Sequence, residues 1–376
     1  MAVLRESTEE RVARTIAERS LAGSATPVLL MVSGGSDSTA MAYLVCDRAA
    51  AGAVGPVGIL HVNHHLRGAD ADADAAFVES LAAALGVPFF LANVDVARLV
   101  GESGGNLEAV ARRERYHAAD EALEKLCLQA GAPVHEGRIF VAHTQDDRVE
   151  NFYMRSIVGT GPGGFRSMRY ANGNVVRPCL DVGRGDLRDY LRRRALDAAA
   201  DASVPLVRDE AGALWREDAT NAHTDRFRAF VRHEIVPRAK ERNPRLLDTL
   251  TRTMNLIADE DDMLEREAAA AVGAHVEWVS PADPPAWAEG CVFLPSFGAV
   301  PVPLARRAVD RVLARMLPLA SRVEAASVDA VVAAFADGAP IGGYTANIQG
   351  DLAVSANKRG VRLEPMAAYR ARRKRL

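Results

Sequence analysis

In the first half of the chain, short unbroken apolar runs alternate with longer stretches whose apolar residues recur every three or four positions. TPVLLMV (26–32) predicts a buried strand and SDSTAMAYLVCDRAA (36–50) a helix. VGPVGILHVN (54–63), VPFFLANVD (87–95) and GRIFVAHT (137–144) predict three more strands. DADADAAFVESLAAALG (70–86), closed by Gly86 and followed by Pro88, predicts a helix between them. So do NLEAVARRERYHAADEALEKLCLQAG (106–131) and DDRVENFYMRSIVG (146–159). Short apolar strands joined by helices predict an α/β fold with a mostly parallel, doubly wound sheet. Ligands of such sheets bind beyond the carboxyl ends of the strands. SGGSDS (33–38), HVNHHLRG (61–68) and AHTQDD (142–147) each follow a strand, so they converge on one edge.

The second half has a different pattern. RPCLDVGRGDLRDYLRRRAL (177–196) predicts a Pro-flanked segment and then an Arg-rich helix. Residues 222–272 predict nearly continuous helix, with breaks near Pro237 and Pro244. PADPPAWAEG (281–290) interrupts, PVPLARRAVDRVLARML (301–317) predicts a helix, and YTANIQGDLAVSANKRGVRLEP (344–365) a hairpin of two short strands. The expected domains are a catalytic domain over 1–216, a helical linker with a basic face over 217–272, and a smaller α+β domain over 273–376.

Composition adds limits. The 376 residues are 49% apolar and 25% charged, the profile of a soluble globular protein. The N-terminal segment is a charged amphipathic helix without a signal peptide's apolar core, and no run is long enough to span a membrane. A cytoplasmic protein is expected. The four cysteines are dispersed and form no CxxC, which argues against a zinc ribbon, an iron–sulfur site or a dithiol pair. A net charge of −3 does not advertise nucleic acid, yet residues 226–245 and the ending YRARRKRL are locally basic and suit phosphates.

The candidate chemistry sits in the loops. In SGGSDS, Gly34 and Gly35 let the backbone approach an oxyanion, and Ser36 or Asp37 can cap the following helix. Ser33 and Ser38 can add hydroxyl donors, and Asp37 suits a magnesium-bound phosphate. No lysine follows the glycines, so this is not the usual nucleotide P-loop; an ordinary turn with an Asp cap fits the same residues. In AHTQDD, His143, Asp146 and Asp147 lie where a strand passes into a helix, with Glu150 one turn on. Such carboxylates can hold Mg²⁺ or manage an attacking amine, or simply cap the helix. Glu108, Arg112, Arg115 and Tyr116 share one helix face, as do Arg228 and Arg232. GTGPGG (159–164) matches GxGxxG but follows a helix and contains Pro162, which excludes a dinucleotide loop. His61, His64 and His65 lack a carboxylate or cysteine at metal-ligand spacing.

SGGSDS resembles the signature of the N-type ATP pyrophosphatases, which cleave ATP between the α and β phosphates and hold the departing pyrophosphate. HVNHHLRG, NLEAVARRERY, AHTQDDRVENFYMRSIVGTGPGGFRSM, RPCLDVGRGDL and EDATNAHTDRFRAFVRHEIVP follow the order of the tRNA(Ile)-lysidine synthases and cover residues 27–245. The sequence departs from that pattern at Asn151 and Ala229, and is expected to stop before the third domain of longer members. The resemblance implies an adenine nucleotide alpha hydrolase-like layer. It implies ATP binding by Ser33, Gly34, Gly35, Ser36, Asp37 and Ser38 with His61 and Asn63, and Mg²⁺ on Asp37 and Asp147. Asp37, His143, Asp146 and Asp147 would be catalytic. His64, Arg67, Glu108, Arg112, Arg115, Tyr116, Glu150, Arg155, Arg228 and Arg232 would meet L-lysine or tRNA. The implied reaction joins L-lysine to the wobble cytidine of tRNA(Ile) with a CAU anticodon, releasing PPi and AMP. A thiolase-type relative would need paired cysteines, and a non-catalytic tRNA-binding protein would have lost SGGSDS or AHTQDD. A homodimer is left open.

Overall fold

The computed structural model describes residues 6–64, 68–103, 106–217, 226–280, 289–318 and 321–374. The chain divides into two compact units, Met1–Ile257 and Ala258–Leu376.

The first unit opens with α1 (Thr8–Glu18), begun by a capping box in which the Ser7 hydroxyl accepts from the Glu10 amide and the Glu10 carboxylate from the Ser7 amide. Then follow β1 (Val28–Met31), α2 (Ser36–Ala50), β2 (Val57–Asn63), α3 (Ala69–Leu85), β3 (Phe89–Asn93), α4 (Val96–Ser103) and α5 (Leu107–Ala130). Next come β4 (Arg138–Phe140), α6 (Gln145–Val158), β5 (Ala171–Asn172), β6 (Val175–Val176) and α7 (Arg184–Ala200). The strands form one sheet in the order β3-β2-β1-β4-β6-β5, parallel except where β5 meets β6. The doubly wound expectation is met. The helix α4 was not anticipated, nor were the short strands β5 and β6, whose two residues carry no periodicity.

Alternate residues of β1 explain its unbroken apolar run. Val28 and Leu30 pack with α2, α3 and α7 on one face, while Leu29 packs with Leu123, Leu126 and Ile139 on the other. Burial on both faces removes any polar alternation. Each fully buried aliphatic side chain contributes roughly 1.5–3 kcal/mol. The chain order reverses between β1 and β4, so the loops after these strands flank the crevice of the sheet.

The expected break at Pro237 is instead a widened turn. α8 (Arg226–Phe230) runs through a π-helical segment, Val231–Ile235, into α9 (Val236–Arg242). Proline lacks an amide and crowds the carbonyl four residues back, and a wider turn relieves that crowding. The break at Pro244 is real: α9 is capped at Asn243 and α10 (Leu246–His275) begins beyond it.

The second unit contains β7 (Val276–Trp278), β8 (Cys291–Phe293), α11 (Val302–Met316), α12 (Ala325–Val332) and a small ribbon of β9 (Phe335–Ala336) with β10 (Ala339–Pro340). It ends with β11 (Thr345–Ile348), β12 (Leu352–Asn357), β13 (Gly360–Pro365) and α13 (Met366–Arg373). The expected two-stranded hairpin is therefore a three-stranded meander. It extends through β8 and β7 into a five-stranded antiparallel sheet around a core of its own. Among the described residues no helix is long and apolar enough to cross a membrane.

Candidate active site

SGGSDS forms the link between β1 and α2. Gly34 sits at φ +91°, a conformation side chains resist, and its carbonyl accepts from the Arg216 amide at 2.9 Å and the Thr39 hydroxyl at 3.1 Å. The helix cap is Gly35, not Ser36 or Asp37 as expected, and among the described residues no side-chain cap bonds to the first-turn amides. Those amides and the positive end of the helix dipole are thus available to an anion. Ser33 and Ser38 brace the loop: the Ser38 hydroxyl accepts from the Ser33 amide at 3.2 Å and donates to the Gly35 carbonyl at 3.1 Å.

AHTQDD links β4 to α6, and here the helix start is fully closed. Thr144 is the cap, and Asp147 Oδ2 accepts from both the Thr144 amide at 2.8 Å and its hydroxyl at 2.9 Å. The other oxygen, Oδ1, accepts from Arg184 Nη2 at 3.2 Å and Arg228 Nη2 at 3.0 Å. Arg184 Nε donates in turn to Asp37 Oδ2 at 2.9 Å. One guanidinium therefore bridges the carboxylates of two loops that are 110 residues apart in sequence (147 − 37). Burial pushes the Asp37 carboxyl above its ordinary range against the pull of Arg184. Burial acts the same way on Asp147, but Arg184, His143, the Thr144 amide and Arg228 outweigh it and hold that carboxyl below its ordinary range.

Asp146 points elsewhere. Its Oδ2 accepts from the Arg184 backbone amide at 2.8 Å, at the start of α7, and its Oδ1 from Lys240 Nζ at 3.0 Å. Glu150, buried, accepts from Arg228 Nε at 2.9 Å and Arg232 Nε at 2.7 Å. Both arginines thus face inward onto α6.

His143 is half-buried, and its Nδ1, shielded from solvent, has no hydrogen-bond partner among the described residues. Burial lowers its imidazole to about 4; Asp147 opposes this, while Arg177, Arg228 and Arg112 reinforce it. His61 is buried with Nδ1 bonded to the Val32 carbonyl at 2.9 Å, and Asn63 Nδ2 donates to Asp72 at 3.1 Å. These side chains fix the end of β2. His64, also lowered to about 4 by burial, Arg115 and His61, lies 3.5 Å from Arg115 Nη2. Arg112 is exposed and stacks over Tyr116 at 5.2 Å, and Arg155 is exposed beside Asn151 at 3.4 Å. Arg67, His65, Asp218 and Asn221, and the side chain of Glu108, lie outside the described residues. Among the described residues no group of three or more His, Cys, Asp or Glu is placed to hold a metal ion.

Sequence reasoning passed over Arg184, Arg188, Arg216 and Lys240. Arg188 Nε donates to Ser36 Oγ at 3.2 Å, and Arg216 pairs with Asp74 at 2.8 Å and Asp209 at 3.3 Å. Nothing in the Arg-rich spacing of α7 singles out Arg184. For Arg228 and Arg232 a signal existed: a helix face with arginines four apart complements one carrying Asp147 and Glu150.

A family model described as ATP_bind_3, PP-loop domain, matches residues 4–208. Curated relatives include a tRNA(Ile)-lysidine synthase of Thermus thermophilus, 36% identical over 77% of this chain and 49% of the relative. That of Solibacter usitatus is 31% identical over 76% and 56%. The chain thus spans about half the length of these relatives. Among solved structures, the U34-tRNA thiolase NcsA from Methanococcus maripaludis aligns at 14% identity and a TM-score of 0.46, covering 67% of this chain and 78% of that one. With the model matched over more than half its residues, the chain belongs to the PP-loop (ATP_bind_3) family.

Proposed function

We propose that the chain acts as a tRNA(Ile)-lysidine synthase in the cytoplasm, joining L-lysine to C2 of the wobble cytidine of a CAU anticodon with cleavage of ATP to AMP and PPi. The observation that carries this reading is the Arg184 bridge between Asp37 and Asp147, which unites the phosphate loop and the acidic helix into one site. The 31–36% identity to relatives of that name supports the choice of substrate.

The cytidine leaves its stack to reach the site. Its 2-oxo oxygen attacks the α-phosphorus, the bond to the β-phosphate oxygen breaks, and pyrophosphate departs. The uncapped amides of α2 face that leaving group. The lysine amine then attacks C2, the C2–O bond breaks, and AMP leaves. His143, held neutral at pH 7 by burial and the arginines around it, orients the amine as a hydrogen-bonding group, and the proton the amine sheds passes to solvent. Magnesium bound with the nucleotide would offset charge on the phosphates. Asp37 and Asp147 fit it, because both present oxygens around one position already holding positive charge, and magnesium takes one or two carboxylates plus substrate phosphates. Arg112 and Arg115, both exposed on α5, hold lysine or tRNA, and Arg155 adds a phosphate contact. The second unit, with its basic α13, adds a further tRNA surface.

The test is to incubate the protein with tRNA(Ile) bearing CAU, labelled lysine and Mg-ATP. Label should enter the tRNA with stoichiometric PPi. Absence of label, with PPi release driven by another acceptor, sinks the reading.

A further inference from the structure

Three arginines touch SGGSDS, and their charges are differently engaged. Arg184 is paired with Asp37 and Asp147. Arg216 lies over Gly34 but pairs with Asp74 and Asp209. Arg188, one turn beyond Arg184 on α7, has no carboxylate within ion-pair distance among the described residues. Its one hydrogen bond there is from Nε to Ser36 Oγ at 3.2 Å, in the first turn of α2. Its guanidinium stacks on Trp215, with Cζ 5.5 Å from the ring centroid, within cation–π range. Trp215 is itself held over the loop, because the next amide, Arg216, donates to the Gly34 carbonyl, and its own Nε1 donates to Glu217 at 2.9 Å.

A half-buried cation without a counter-charge, stacked on an aromatic ring and aimed at an uncapped helix start, is a site prepared for an anion. We propose that Arg188 is the cation that binds the β- and γ-phosphates at this loop and retains the pyrophosphate as it departs. It does from α7 what a lysine within the loop does in other nucleotide-binding loops. The proposal rests on the ATP reading of SGGSDS. In the structure Arg184 is committed to two carboxylates, whereas the terminal nitrogens of Arg188 make no hydrogen bond among the described residues.

The experiment is calorimetric titration of the full chain with magnesium pyrophosphate and, separately, with AMP. Arg188→Gln should weaken pyrophosphate binding about tenfold or more, the loss expected for one charge-assisted contact, and leave AMP binding within about twofold. Arg188→Lys should recover part of the loss, and Trp215→Leu should show a smaller loss with the charge retained. Unchanged pyrophosphate affinity in Arg188→Gln overturns the proposal, and so does an equal loss for both ligands, which marks a structural role. If the unaltered protein binds neither AMP, pyrophosphate nor Mg-ATP, the ATP reading itself fails and the proposal with it.

Discussion

Arg232 grips Glu150 with two parallel hydrogen bonds, Nε to Oε1 at 2.7 Å and Nη2 to Oε2 at 3.1 Å. Arg228 adds a third, and the Glu150 side chain is only 2% exposed. Removing the carboxylate leaves two partly buried cations facing each other. Glu150→Gln should lower stability by about 2 kcal/mol, discounted because the arginines are partly solvated. Urea unfolding should show this as a lower midpoint at unchanged slope; an unshifted midpoint would mean the arginines are satisfied by water.

The same clamp bears on tRNA. Any contact of Arg228 or Arg232 with a tRNA phosphate would have to compete with Glu150 and Asp147. Arg228→Ala should therefore reduce turnover while leaving the salt dependence of tRNA binding nearly unchanged. A slope reduced by about one unit would instead assign Arg228 to a phosphate.

Asp37→Ala removes one end of the Arg184 bridge. PPi formation should vanish while tRNA affinity stays close to that of the unaltered protein. Retained turnover would remove Asp37 from the chemistry.

The legible parts of this molecule are those written in periodicity. The runs around β1, β2 and β4 and the helices between them are long enough to signal themselves, and with them the convergence of three loops. What periodicity does not carry was missed: the two-residue strands β5 and β6, and the third strand of the C-terminal meander. The identity of SGGSDS and AHTQDD as partners followed from strand order, but the piece joining them did not. Arg184 is one of many arginines on α7, and only its position at the first turn of that helix, beside both loops, distinguishes it. Asp146 and Asp147 are adjacent and chemically alike. Their division into a group facing α7 and Lys240 and a group facing Asp37 depends on helix phase and distant partners.

Acid should loosen the fold before it titrates Asp147. The unfolded chain protonates His143 and His64 near pH 6.5, whereas the folded protein holds both neutral to about 4. The unfolded state thus binds more protons in that window, and stability falls as pH drops through it. His143 should account for on the order of 2 kcal/mol. Melting midpoints measured from pH 7 to 4 should decline, and His143→Gln should flatten the decline. Asp147, held low, contributes its loss only below the ordinary carboxylate value of 3.8, and Asp37, held high by burial, acts with the opposite sign above that value.

The thiols separate the lysidine reading from a thiolase one. Cys46, Cys127, Cys179 and Cys291 are all buried and unpaired. Burial pushes Cys46 and Cys291 up to about 12 and raises Cys127 and Cys179 as well. Little thiolate exists at pH 8. The folded protein should resist iodoacetamide and yield four modified cysteines only in denaturant. A cysteine that alkylates rapidly in the folded state would favour sulfur chemistry.

The two oxygens of Asp147 serve separate masters. Oδ2 closes the first turn of α6, and only Oδ1 meets Arg184 and Arg228. Whatever cation faces Oδ1 can therefore be exchanged for another without the helix fraying beneath it. One side chain insulates the scaffold from the turnover of charge at the site.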